Sequence, residues 1–297
     1  MADGKASRTR AVLSAHLAAL RPRQWVKNVL VFTVPLAAGA LLDVNVLADS
    51  SLAFVAFCLA SSSIYLLNDA RDVVADRQHP VKRHRPIARG DVAIGTAMAA
   101  SVVLGVLALG LAWYTAPQLA AVIGIYLALQ VAYSLGLKHQ PVLDLALVAS
   151  GFILRAVAGG AAAGLPVSQW FILTAAFGAL FMVAGKRYSE LRHAPGIEAA
   201  RTRRALAGYT QGYLRFVWTL AATITLSAYA LWALELQQSQ TSPMLLQLSI
   251  VPFVLSVLRY AMVVEHAEAG EPDAVILSDR VLQLLGAVWL LLFALGS

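Results

Sequence analysis

The sequence predicts an all-α, polytopic membrane protein of nine transmembrane helices, and three observations carry that prediction. Of its 297 residues, 59% are hydrophobic and only 13% are charged, and the mean hydropathy is +0.70, well outside the range of soluble domains. Nine apolar runs approach the about 20 residues that cross a hydrocarbon core of about 30 Å. Lys and Arg gather in alternate connections between those runs.

Taken in order, the chain opens with Arg8 to Trp25, which mixes Val12, Leu13, Leu17 and Leu20 with Arg10, His16, Arg21 and Arg23. That mixture predicts an amphipathic helix over 8–25 lying on the inner leaflet, its bases toward anionic phospholipid headgroups. The apolar runs follow as Val26 to Leu42, Leu52 to Leu67, Ala93 to Tyr114, Leu119 to Leu135, Val142 to Ala163, Trp170 to Ala184, Tyr213 to Leu234, Met244 to Val264 and Val281 to Leu295. No soluble domain or low-complexity linker separates them, so residues 1–297 read as a single membrane domain. Runs two, four and six end in YLLNDARDVVAD, YSLGLKHQPVLD and GKRYSEL. Three polar ends on one side of the membrane can line one pocket.

The connections at Asp43 to Ser51, Thr115 to Gln118, Gly164 to Gln169 and Glu235 to Pro243 contain no Lys or Arg, whereas those after runs two, four, six and eight are basic. Cytoplasmic loops hold the excess of Lys and Arg. The N-terminus is therefore expected in the cytoplasm and the C-terminus outside, in the cell (inner) membrane, with any site on the basic side facing the cytoplasm. The net charge of +7 becomes a topology signal and calls for no nucleic-acid partner. A single cysteine, Cys58, excludes an intramolecular disulfide and a cysteine zinc site. The N-terminal stretch does not read as a removable signal peptide. A homo-oligomer is compatible with the sequence but no motif demands one.

At the cytoplasmic end of run two, Asn68, Asp72 and Asp76 are four residues apart, and Asp69 precedes Asp72 by three. On a helix the four share one face. Carboxylates stacked that way repel, and a divalent cation reverses the sign of the interaction. Oxygen donors without Cys or His suit Mg²⁺, which keeps several waters and is typically shared between one or two carboxylates and substrate phosphates. Lys82, Arg83, His84, Arg85 and Arg89 follow within a short distance, and a phosphate held by Mg²⁺ needs such cations. One or two of them, Lys82 and Arg85 first, are expected to touch ligand.

The pattern N-D-x-x-D-x-x-x-D at residues 68–76, with nine expected helices, resembles the UbiA superfamily of intramembrane prenyltransferases across essentially the whole chain. That resemblance implies nine helices around a central cavity, with Mg²⁺ and a substrate diphosphate held by Asn68, Asp69, Asp72 and Asp76, of which Asp72 and Asp76 are the catalytic pair. The second family motif, D-x-x-x-D, is incomplete: Asp144 is present but Val148 stands four residues on, which implies a reduced second metal site. RPRQWVKN (Arg21 to Asn28), YSLGLKHQPVLD (Tyr133 to Asp144), GFILRAVAGG (Gly151 to Gly160) and GKRYSEL (Gly185 to Leu191) look most like the actinobacterial branch that serves cell-wall arabinan synthesis. The implied reaction moves 5-phosphoribosyl from 5-phosphoribosyl 1-diphosphate to decaprenyl (polyprenyl) phosphate. The alternative is a prenyl diphosphate donor with an aromatic or glyceryl lipid acceptor.

Further candidate substrate contacts are Lys27, Tyr65, Tyr133, Lys138, Asp144, Arg155, Lys186 and Arg187. Lys138, Lys186 and Arg187 end neighbouring runs and are candidates for a second phosphate anchor. Arg155 stands about 20 Å along its helix from Pro141, at about 1.5 Å per residue, where an unpaired charge costs several kcal/mol. It is expected to pack against carbonyls or to meet the lipid phosphate. A transporter should carry paired half-repeats with acids at midplane, whereas the acids here lie near the membrane faces. The D-G-x-x-A-R signature of CDP-alcohol phosphotransferases is absent.

Overall fold

The structure, a computed structural model, describes residues 13–193, 204–236, 243–270 and 272–296, and among these it is helical with no strand. Eight long helices are α1 (Val44–Arg71), α2 (Ile94–Thr115), α3 (Pro117–Leu135), α4 (Leu143–Ala163), α5 (Gln169–His193), α6 (Gln211–Leu236), α7 (Pro243–Glu265) and α8 (Arg280–Gly296). Each coincides with one of the apolar runs two to nine. Seven of them, α1 to α7, are long and apolar enough to cross a membrane, and α8 is a shorter apolar helix.

The first run departs from expectation. In place of an α-helix over Val26 to Leu42, a 3₁₀ helix spans Pro22–Phe32 and a single α-helical stretch follows at Thr33–Ala37. A 3₁₀ helix rises about 2.0 Å per residue against about 1.5 Å for an α-helix, so residues 22–37 still extend about 30 Å. Its period of three places Trp25, Asn28 and Val31 on one face, and that face is held by polar partners. Trp25 donates to Ser62 Oγ at 3.0 Å, Asn28 donates to Cys58 Sγ at 3.2 Å, and Ser62 donates to the Leu20 carbonyl at 3.0 Å. On the other side the backbone lies against α4, where a Cβ added at Gly159 would stand 1.9 Å from the Val31 carbonyl oxygen. Gly159→Ala is therefore expected to lower thermal stability by about 1–3 kcal/mol or more through overpacking, measured as the melting temperature in detergent beside Gly110→Ala, where an added Cβ meets nothing within 4 Å.

The interfacial helix is also shorter than expected. Residues 13–19 are helical and residues 8–12 lie outside the described residues. Arg21 then adopts a left-handed conformation, φ 56 and ψ 57, which ends the helix before Trp25. Ala15 and Ala19 pack on Leu66, Ala70 and Ile87, while Leu13 and Leu17 remain exposed.

Among the described residues, two of the four apolar clusters hold most of the bundle. One joins α1, α2, α3 and α4 around Phe57, Ile123, Tyr126 and Ala158; the other joins α5, α6 and α7 around Tyr188, Leu214, Tyr260 and Val264. Facing outward, α2 presents Val102, Val103, Val106 and Leu107. The Ser63 and Ser101 hydroxyls each donate to the other residue's carbonyl, at 2.7 and 2.8 Å. With no water available inside a bilayer, such reciprocal bonds satisfy polar groups between α1 and α2.

Candidate active site

At the end of α1 the helix turns sharply at Asp72, φ −90 and ψ 9, and resumes as Val73–Gln78. Hydrogen bonds from the Asp72 N–H to the Asn68 carbonyl (2.9 Å) and from the Asp76 N–H to the Asp72 carbonyl (2.8 Å) carry the helical stagger through the turn. The face expected from the four-residue spacing therefore survives. Beyond it His79 Nδ1 accepts the backbone N–H groups of Val81 and Lys82. Partial burial and the nearby Lys82 ammonium hold this imidazole below its usual range, which favours the neutral ring that such acceptance requires. The chain then doubles back through Lys82–His84, and Pro86 starts a short helix that Gly90 closes at φ 88. Arg77 fastens the return by donating to the Ala88 carbonyl at 3.0 Å.

This return delivers a cation to the acids. Arg85 donates to Asp69 at 3.0 Å and to Asp76 at 2.6 Å, and Arg21 donates to the same Asp69 oxygen as Arg85. The Arg21 guanidinium also lies over the Tyr65 ring, 5.1 Å from its centroid. From the loop after α3, Lys138 Nζ reaches both oxygens of Asp72 at 2.7 Å. Asp69 and Asp76 are buried, whereas 39% of the Asp72 side chain is exposed. The Ser134 hydroxyl lies 2.6 Å from Asn68 Oδ1 and joins α3 to the same motif.

The polar ends of α3, α4 and α5 meet beside it. Arg187 Nε donates to Asp144 Oδ2 at 2.6 Å and its Nη1 donates to Glu190 at 2.9 Å, while the Tyr133 hydroxyl donates to Asp144 at 3.1 Å. Lys138 and Ser134 tie the end of α3 to that of α1, and Arg187 at the end of α5 reaches Asp144, but Asp144 and Arg187 satisfy each other out of solvent, with side chains 0% and 3% exposed. In this structure their charges face each other and not solvent. Val148 is apolar and packs against the core, so no second acidic motif forms there. Arg155 is caged as well: it donates to Asn28 Oδ1 (2.7 Å), the Gly151 carbonyl (2.7 Å) and the Tyr126 hydroxyl (3.1 Å), with the Phe57 and Tyr126 rings beside it. The carbonyl-packing expectation for Arg155 agrees with this cage.

A profile of the UbiA prenyltransferase family matches residues 29–278. The chain belongs to the UbiA prenyltransferase family. This UbiA-family protein is 53% identical to the decaprenyl-phosphate phosphoribosyltransferase of Corynebacterium glutamicum, over 91% of its own length and 83% of that protein's. It is 52% identical to the protein of the same name from Mycobacterium tuberculosis, over 92% and 90%. In fold it is similar to a UbiA homologue from Archaeoglobus fulgidus solved with GPP and Mg²⁺ bound, at a TM-score of 0.70, 17% identity and coverage of 94% and 97%.

The donor set of this UbiA-family site fits magnesium. Asn68, Asp69, Asp72 and Asp76 offer only oxygen, the donor type for an ion that takes one or two carboxylates and completes its shell with water and phosphate. Arg21, Arg85 and Lys138 already mark three points at which these carboxylates accept positive charge. Of the other expected contacts, Tyr65 and Arg85 lie at the acidic motif, and Lys27, Lys82 and Lys186 are half-buried. Arg21 and Ser134 were not legible as site residues. Arg21 reaches Asp69 across 48 positions of sequence, and its only early sign was membership of the RPRQWVKN stretch.

Proposed function

We propose that this protein transfers the 5-phosphoribosyl group from 5-phosphoribosyl 1-diphosphate to decaprenyl (polyprenyl) phosphate, releasing diphosphate. The observation that carries the reading is identity above 50% over nine-tenths of the chain to two proteins named for that transfer. Asn68, Asp69, Asp72 and Asp76 would hold Mg²⁺, which when bound neutralises charge on the departing diphosphate. Arg85, Arg21 and Lys138 can turn from carboxylate to phosphate as a metal takes over the acids, so the site exchanges one set of ion pairs for another. The acceptor phosphate is already anionic and needs no general base. The remaining task is in-line positioning while the C1–oxygen bond breaks and the ribose gains oxocarbenium character. Single displacement makes a β product from an α donor.

The deciding assay incubates purified protein with labelled phosphoribosyl diphosphate and a polyprenyl phosphate and scores labelled lipid. Consumption of a prenyl diphosphate with the sugar donor ignored would reject the reading. Within it, Lys138 is the favoured anchor for the 5-phosphate, since it stands at Asp72 with 17% of its side chain exposed. Loss of such a charge-assisted contact is typically worth about 1.5–3 kcal/mol, roughly ten- to a hundredfold in affinity. Lys138→Met should raise KM for the sugar donor by that factor and leave KM for the lipid nearly unchanged; equal rises for both would remove the assignment.

The site is proposed to face the cytoplasm on the strength of the basic connections. Gln78→Cys, exposed beside the motif, is the test, because the native Cys58 is buried. A membrane-impermeant thiol reagent should label this variant in inverted vesicles and leave it untouched in intact cells.

A further inference from the structure

The segment that carries Lys138 is held under backbone strain, and the strain has a specific partner. Between α3 and α4 the chain passes Gly136 at φ 153, the turn Leu137–His139, and Val142 at φ 69 and ψ −52. The Leu143 N–H donates to the Pro141 carbonyl at 2.8 Å, so Val142 is the centre of a γ-turn of the rare positive-φ hand. Positive φ is an outlier for a β-branched residue. The Val142 side chain is 54% exposed, so packing of that side chain does little to hold the turn.

The restraint comes from the segment before α6. The Val142 N–H donates to the Tyr209 hydroxyl at 2.7 Å, and Pro141 seats on Gly208, where an added Cβ would come within 2.4 Å of Pro141 Cγ. Tyr209 is buried and its ring stacks on Tyr213 at 5.9 Å and 12°. Burial pushes its hydroxyl up to about 12, so the group remains a neutral phenol at physiological pH. Four residues before Val142, Lys138 grips Asp72, and two residues after it Asp144 grips Arg187.

We propose that Tyr209 is a positioning residue for donor recognition, its hydroxyl fixing the strained Pro141–Leu143 turn that sets Lys138 at the acidic motif. The proposal rests on the phosphoribosyl-transfer reading for its kinetic consequence and on the turn alone for its structural one. Backbone strain of this kind persists only where surrounding structure over-determines it, and it clusters at functional sites.

Tyr209→Phe keeps the ring and its stacking and removes only the acceptor. Its KM for phosphoribosyl diphosphate should rise about three- to tenfold, the factor expected for one neutral hydrogen bond, with KM for polyprenyl phosphate and the melting temperature close to wild type. Glycine adopts positive φ freely, so adding Val142→Gly to Tyr209→Phe should return the donor KM toward the native value. A readout that needs no turnover accompanies these: acylation of Lys138 by a water-soluble amine reagent, followed by mass spectrometry. Acylation should quicken several-fold in Tyr209→Phe and slow again in the double variant. Native donor KM and native Lys138 acylation in Tyr209→Phe would overturn the proposal, as would equal losses for both substrates that Val142→Gly does not reverse. If the wild-type protein ignores phosphoribosyl diphosphate, the functional reading fails, and the acylation comparison still decides whether Tyr209 governs the loop.

Discussion

Asp72→Ala and Asp76→Ala should each lower turnover about a thousandfold or more while the protein still purifies folded. The size follows from charge. A metal that neutralises a leaving diphosphate supplies several kcal/mol in the transition state, and each 1.36 kcal/mol is a factor of ten in rate. The folded state should tolerate both changes, for reasons visible in the ion pairs. Asp72 is part-exposed and pairs with the flexible Lys138 ammonium, a pair of the kind that contributes little to stability. Asp76 is buried, but its loss leaves Arg85 paired with Asp69 at 3.0 Å, so no cation is stranded. Excess EDTA should act on wild type as the substitutions do, and added Mg²⁺ should restore it. Wild-type rates in either variant, or full turnover in EDTA, would remove the metal assignment.

The parts of this molecule that the sequence made legible are those fixed by local spacing. Runs two to nine became α1 to α8 because a long apolar stretch in a bilayer must satisfy its own backbone, and a helix does so without partners. The 68, 72, 76 face was readable for the same reason, since backbone bonds carry one helical stagger through the turn at Asp72. What escaped was set by distant partners. The 3₁₀ conformation of Pro22–Phe32 depends on Ser62, Cys58 and the bare backbone of Gly159, none of which is near in sequence. Arg21, whose backbone is left-handed, meets Asp69 from 48 positions away. Asp144 and Arg187 were each expected to touch substrate, but their spacing of 43 positions gave no sign that each would neutralise the other. A basic residue read alone invites a phosphate; read with its buried partner it is a strut between helices.

That strut should be the most fragile point of the fold. Asp144 accepts two bonds from Arg187, at 2.6 and 3.3 Å, and one from Tyr133 at 3.1 Å. Asp144→Ala leaves the guanidinium buried with Glu190 as its remaining carboxylate, and Glu190 is 23% exposed on the rim. Breaking a buried pair on one side typically costs about 3–5 kcal/mol, because an uncompensated charge stays behind. For a chain of this size that corresponds to a fall in melting temperature on the order of 10 °C, far beyond that of Asp72→Ala. Removing both charges should act differently from removing one. Asp144→Leu combined with Arg187→Met fills similar volume and strands no ion, and such replacements are often neutral or stabilising. The double variant should therefore melt well above Asp144→Ala, giving back only what Tyr133 and Glu190 lose as partners. Its donor KM should stay within a few-fold of wild type, since neither side chain has solvent-facing surface to offer a phosphate. A double variant that folds stably yet no longer binds the sugar donor would show that the pair opens during the reaction and meets the substrate directly.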